Sequence, residues 1–174
     1  MIIRDGPRWA SVALDELSAA YAASSVLREF VDVPAAGSGG RRVRAVVEIL
    51  KQGGGLAPRA LLGGEFVPAN DDGLIIEVTV LTDLTASVPS CRSQLWRPLM
   101  AGLPPEFAQS VIDGIVRRPL PSGRLVVDRA GHDPVESSPL AFELAAELLS
   151  AVLAGLAQSE EIEEIVRQDI IRWS

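Results

Sequence analysis

Cysteine, histidine and lysine occur once each in this 174-residue sequence, as Cys91, His132 and Lys51, and each scarcity removes a class of chemistry. One cysteine cannot form an internal disulfide, and no cysteine cluster has metal-ligand spacing. One histidine among scattered carboxylates offers no zinc-binding pattern. Fifteen arginines stand against the single lysine, a bias read here as genomic rather than functional. Trp9, Trp96 and Trp173 lie far apart, without the interleaving of aromatic residues typical of single-strand nucleic-acid binders. No apolar run reaches the roughly 18 residues of a membrane-spanning helix. The N-terminal "MIIRDGPRW" lacks a signal peptide's long apolar region. These absences lead to the expectation of a soluble, cytoplasmic protein with no membrane partner and no metal or other cofactor.

What is present suits one globular domain with short flanking extensions. Apolar content is 48% and charged content 22%, close to globular averages. The formal charge of −7 divides into −2 over residues 1–40, −2 over 41–155 and −3 over the last 19. Binding to polyanions through long-range attraction is therefore disfavoured, since it rests on clustered basic residues releasing counterions. A local basic patch remains compatible with these totals.

After the turn signal Asp5-Gly6-Pro7, "RWASVALDELSAAYAASSVLREF" reads as a helix, with Leu14, Leu17, Tyr21 and Leu27 near helical spacing. "PAAGSGG" over 34–40 is the best linker candidate. "RRVRAVVEIL" predicts a strand, 51–73 a long loop or loosely ordered hairpin rich in glycine, and "LIIEVTVL" a second, clearer strand. Residues 83–102 are ambiguous between a short strand and a turn of helix. "LPPEFAQSVIDGIVRR" predicts a helix, with prolines at its start and Phe107, Val111 and Ile115 repeating at every fourth position. "GRLVVDRAGHD" predicts a strand ending near Asp128. Ser138 caps the next helix, with Pro139 at its first position. That helix shows a thin polar stripe of Glu143, Glu147 and Ser150, so Leu140, Phe142, Leu144, Leu148 and Val152 are expected to be mostly buried. "SEEIEEIVRQDIIRWS" closes the chain as a short amphipathic helix. Residues 1–40 are thus expected to form a helical extension and linker, 41–157 the main domain, and 158–174 a C-terminal helix.

Motifs for catalysis are sparse. There is no "GxxxxGK[ST]", and Gly53-Gly54-Gly55 lacks the strand–turn–helix context of a phosphate loop. Asp71-Asp72-Gly73 reads as a turn rather than a calcium loop. His132-Asp133 beside Ser137 and Ser138 invites a triad, but triads are usually assembled from separate segments and Ser138 is better explained as a cap. His132 is expected at an exposed strand-to-helix connection, so His132→Ala should change stability by no more than about 0.5 kcal/mol.

The residues do carry a family likeness. "HDPVESSPLAFELAAELL" resembles the segment closing domain IV of translation elongation factor G and its ribosomal-protection relatives: a histidine, an acidic stretch, Ser-Ser, then an apolar helix with Ala-Phe and a later Ala-Ala. "AGLPPEFAQSVIDGI" resembles that domain's Gly-Gly-x-Ile-Pro-x-Glu-Tyr helix start, and "VVEILKQGGG" is similar to its first strand and Gln-Ser-Gly-Gly loop. The likeness spans about 43–155, is specific over 102–118 and 131–149, and does not extend to a GTPase domain. Pro134 is an insertion relative to the family pattern, and "LAPRALLGGEFVPANDD" replaces its Gly-Gln-Tyr-Gly-His. The resemblance implies an α/β (α+β) fold like the second domain of ribosomal protein S5, its sheet covered by the helices at 104–118 and 138–157. It also implies a tip loop holding His132, which in the factor reaches the decoding region.

The leading expectation is then a non-catalytic module that docks on the ribosome, its RNA or another macromolecular partner. His132 and Asp133 would lie at the tip, with Arg117, Arg118, Arg124 and Arg129 supplying charged contacts. A homo-oligomeric interaction protein, joined through helix 138–157 and the terminal helices, is the alternative. An enzyme whose pocket no motif reveals is the third.

Overall fold

The computed structural model describes residues 1–14, 18–35, 40–81 and 89–173. Most of the expected linker, at 36–39, and the segment 82–88 lie outside the described residues. The architecture is mixed α/β, a large mixed sheet with helices packed on it. Strands β1 (Ile2–Asp5), β2 (Arg8–Leu14), β3 (Ser25–Val31), β4 (Val43–Lys51), β5 (Arg59–Pro68), β6 (Leu74–Val80), β7 (Ser90–Cys91), β8 (Leu99–Ala101) and β9 (Gly123–His132) form it. Their order is β1-β2-β4-β5-β9-β6-β3, with β8 extending the sheet beside the end of β9 and β7 pairing with β8. All pairings are antiparallel except β6 with β9, the two strands joined through helix α1 (Ala108–Arg117). Helices α2 (Pro139–Gln158) and α3 (Ile162–Ile171) complete the described elements, with a single 3-10 turn at Pro105–Phe107 before α1.

Alternation along the strands sends every second side chain to one face. Val47 and Ile49 of β4, Leu62 of β5, Ile76 and Val78 of β6, and Leu125 and Val127 of β9 form one core with Val111 and Ile115 of α1 and Phe142, Leu148, Leu149 and Val152 of α2. α2 is long and apolar enough to cross a membrane by length and composition, yet most of it is buried against β4, β5 and α1. Ser138 caps it, its hydroxyl accepting from the Ala141 amide at 3.2 Å. The expected burial holds for Phe142, Leu148 and Val152; Leu144 is half-buried and Leu140 is 51% exposed.

Among the described residues the expected N-terminal helix is replaced by strands. Residues 8–14 pair with β4 from Arg8↔Lys51 to Leu14↔Ala45, and 25–31 pair with β6. "RWASVAL" also alternates with period two, Ala10 and Val12 facing the core. The exposed edge of β4 decides between the two periods, as tertiary partners commonly override local preference. The turn signal at Gly6-Pro7 is a two-residue hairpin loop, with Gly6 at φ 53°. Before β3, residues 19–21 lie against β9 and β6. Ala19 accepts from the Ala130 amide, and the Tyr21 hydroxyl bonds the Thr79 carbonyl at 2.6 Å.

Residues 51–73 also depart from expectation. β5 is a central strand, paired with β4 on one side and β9 on the other. Its Gly63-Gly64 pair does not break the strand; it permits close approach, since a Cβ on Gly63 would lie 2.7 Å from the Val46 side chain and 2.9 Å from Arg129 Cβ. Opposite that pair, β9 carries a bulge at Asp128 and continues to His132 instead of ending at 128. The C-terminal amphipathic helix forms as expected, at 162–171.

Candidate functional site

The connections at one end of the sheet converge into a tip. Antiparallel pairing sets the β4–β5 turn beside the β9–α2 connection, because β5 lies between β4 and β9. Arg59 donates its amide to the Glu136 carbonyl at 3.3 Å, and the Ser137 hydroxyl donates to the Arg59 carbonyl at 2.8 Å. The β7–β8 turn, residues 92–98, joins them, with Arg97 pairing with Glu136 at 2.9 Å. The β1–β2 turn adds Pro7, whose carbonyl accepts from Gln52 at 2.7 Å.

At the centre of the tip lies a buried ion pair. Arg59 is fully buried and Glu48 is 1% exposed, with 3.2 Å between Arg59 Nη2 and Glu48 Oε1. Arg59 Nη2 also donates to the Arg97 carbonyl at 2.7 Å. Glu48 accepts from the Ser93 hydroxyl at 2.5 Å and from the Gln94 amide at 2.8 Å. Among the described residues Arg59 Nε and Nη1 have no hydrogen-bond partner, although Asp133 Oδ2 lies 4.0 Å from Nη1. Taking two charges out of water costs several kcal/mol per ion unless the pairing is close and the remaining donors are satisfied. This pair is thus weak as a stabiliser, but it links β4 and β5 to the turn 92–98.

His132 is the last residue of β9 and is not exposed as expected: it is 7% exposed. Its Nδ1 lies 3.1 Å from the Gly102 carbonyl, which can only accept, so the ring proton sits on Nδ1. The β8 strand and the segment after it cover the ring, a non-local packing no sequence window shows. Asp133 organises the following turn by accepting from the Val135 and Glu136 amides at 2.9 and 3.1 Å. Burial alone would raise the Asp133 carboxyl, but those amides, with Arg59 and Arg97 nearby, hold it below its ordinary value. Ser137 Oγ accepts from the Asp133 amide at 2.9 Å while donating to Arg59, and Ser138 caps α2, so both hydroxyls serve the backbone.

The four arginines expected as contacts do not gather at the tip. Arg117 and Arg118 end α1 on the helical side, where Arg117 pairs with Glu143 and with Glu147 at 3.5 Å, and Arg118 pairs with Asp169. Arg124 and Arg129 lie on the opposite, open face of the sheet. Arg124 pairs with Glu77 at 2.5 Å and Arg129 with Asp128 at 3.0 Å. They have company there: Arg28 pairs with Glu77, Arg42 with Glu65 at 2.7 Å, and Arg44 with Asp128 at 3.1 Å and Glu65 at 3.7 Å. Each of the three carboxylates is shared by two of the five guanidinium groups. Although burial opposes it, hydrogen bonds from Arg124 and Arg28 hold the Glu77 carboxyl below its ordinary value.

Sequence reasoning missed Glu48, Arg59, Ser93, Trp96, Arg97 and Glu136. The one available signal was a charged residue within or beside an apolar run, Glu48 in "VVEIL" and Arg59 before "ALL"; both point away from the helix-packed core and are buried by the turn 92–98. Cys91, beside Gly131 and Leu99, is pushed up to about 11 by burial and by the Glu48 charge, which leaves an inert thiol. A groove of about 360 Å³ runs between the β4–β5 turn and the start of α2, lined by Ile49, Lys51, Leu56, Pro58, Leu140 and Leu144. No protein-family model matches the chain, and no curated protein matches it in sequence.

Proposed function

We propose that the chain is a non-catalytic binding module that docks on a structured RNA surface, that of the ribosome in the first instance, through its open sheet face and tip. The observation that carries this reading is the charge segregation. Among the described residues, five arginines share three carboxylates in the ion-pair network of that face, while the chain as a whole carries −7. Short-range contacts to phosphates need such a local surplus rather than a basic chain. The order β4-β5-β6-α1-β9-α2, with β6 and β9 parallel neighbours and helices on one face, supports assignment to the fold of the second domain of ribosomal protein S5. The resemblance to elongation factor G domain IV supports the ribosome as partner and the cytoplasm as the compartment.

Co-sedimentation with ribosomes, and RNA binding across a salt series, test the proposal. Arg28→Gln with Arg42→Gln leaves Glu77 and Glu65 one arginine each, so the fold is kept. That double variant should weaken binding and reduce the salt slope by about 1 per lost phosphate contact. Arg117→Gln, on the other side of the sheet, should change nothing. Binding that is absent at low salt, or indifferent to the open-face pair, overturns the reading.

One observation favours the homo-oligomer as a second reading. Among the described residues, β3 pairs on one edge only, and Val26 and Phe30 on it are exposed, whereas α3 packs against the opposite edge strand β1. An uncovered apolar edge is a template for pairing with another chain. Light scattering showing monomer mass over a hundredfold range of concentration would remove it.

A further inference from the structure

The β7–β8 turn, "RSQLWRP" at 92–98, exposes Arg92, Gln94, Trp96, Arg97 and Pro98 together. A tryptophan 49% exposed is unusual for so large an apolar ring. The Arg97 guanidinium lies 4.6 Å from the centroid of that ring and Arg59, beneath the surface, lies 5.9 Å from it. The turn is held from several directions. Ser93 Oγ accepts from the Leu95 and Trp96 amides at 3.1 and 2.9 Å while donating to Glu48. Glu48 takes the Gln94 amide, Arg59 takes the Arg97 carbonyl, and Glu136 holds the Arg97 head. The only fully buried arginine among the described residues, together with its partner Glu48, is therefore spent on fixing a surface turn. Burying that pair is costly for stability, and what it achieves is a fixed position for the half-exposed Trp96 ring, with Arg97 beside it at the surface.

We infer that this turn is a nucleobase-binding site, with Trp96 stacking on one unpaired base of a bound RNA, the Arg97 guanidinium moving off the ring to admit it, and Arg92 contacting the flanking phosphate. The inference rests on the RNA reading above and names the group recognised at the tip. An indole face is a platform for any base, and base stacking on aromatic side chains is the usual way in which proteins read splayed-out nucleotides. Because the turn is already ordered by Glu48 and Arg59, little conformational freedom is lost on binding. Gln94, exposed two residues before the ring, can both donate to and accept from a base edge.

The test uses the full chain and two labelled RNA hairpins, one carrying a single bulged adenosine and one with an abasic site at that position, compared by fluorescence anisotropy at low salt. The wild-type chain should prefer the bulged adenosine by roughly tenfold, the order of one stacked base. Trp96→Ala should bind both hairpins alike, and Trp96→Phe should keep most of the preference; denaturation midpoints of both variants confirm that they fold. Equal wild-type affinity for the two hairpins, with salt-dependent binding retained, overturns the inference and leaves the RNA reading intact. A preference that survives in Trp96→Ala overturns it as well. Failure to bind either hairpin at low salt removes the RNA reading and this site with it.

Discussion

Arg59 shows how much a single buried residue can decide. Removing one member of a buried ion pair leaves an uncompensated charge, so Arg59→Ala should destabilise the protein by about 3–5 kcal/mol, measured by chemical denaturation. Replacing both, Arg59→Met with Glu48→Leu, should recover most of that loss. It should also loosen residues 92–98, because the Gln94 amide and Ser93 hydroxyl lose Glu48; faster hydrogen exchange confined to that turn is the expected sign. His132 runs the other way from its sequence reading. Its burial and its bond to the Gly102 carbonyl make His132→Ala cost about 1–3 kcal/mol, the range for an orphaned buried polar group. Ser138→Ala should cost about 1 kcal/mol through the lost cap. The cap was legible because it depends on residues within one helical turn, Ser138 to Ala141. The environment of His132 was not, because Gly102 lies thirty residues away.

Among elements, helices α1, α2 and α3 and strands β4 and β6 were legible because each carries its periodicity and its stop signals within its own length. β2 was misread because its small residues, Ala10, Ser11 and Ala13, fit a helix or a strand equally, and only the β4 partner decides. β5 was missed because glycine reads locally as a turn, while here it accommodates neighbouring strands. The contact between α1 and α2 tests the same principle on a helix. Helix propensity alone makes Gly114→Ala favourable by about 1 kcal/mol. Yet a Cβ there would press on the Glu143 carbonyl and lie 2.8 Å from Ala146 Cβ. Overpacking of about 1–3 kcal/mol should win, so Gly114→Ala should lower the denaturation midpoint. Leu148→Ala, emptying a fully buried position on α2, should cost about 2–5 kcal/mol.

For the whole molecule, composition described the net charge but not its arrangement. Pairing of Arg28 with Glu77, and of Arg44 with Asp128, joins segments tens of residues apart, so the basic face exists only once the sheet is built. Carboxylates also set how stability responds to pH, because those of the open face and tip are shifted in the opposite direction from those on the helical side. Glu77 and Asp133, held low by their donors, contribute stability that is present above the unfolded carboxylate value of about 4 and is lost as pH falls through their folded values. Asp169 and Glu147 are raised, chiefly by burial, with nearby arginines only partly opposing it. Their contribution is fully present below that unfolded value and is lost as pH rises through their folded values. Mild acidification from neutrality should therefore first favour the docking of α3, where Asp169 meets Arg118, before protonation of Glu77 loosens the open face and that of Asp133 the turn at the tip. Asp169→Asn isolates the first effect, since it removes the raised group and leaves the others. Urea midpoints for the wild type and Asp169→Asn, compared from about pH 7 down to about pH 4, should diverge, with the wild type gaining relative to the variant as pH falls. Parallel curves would mean that Asp169 titrates alike in the folded and unfolded chain, and that α3 is held by Val166, Ile170 and Trp173 alone.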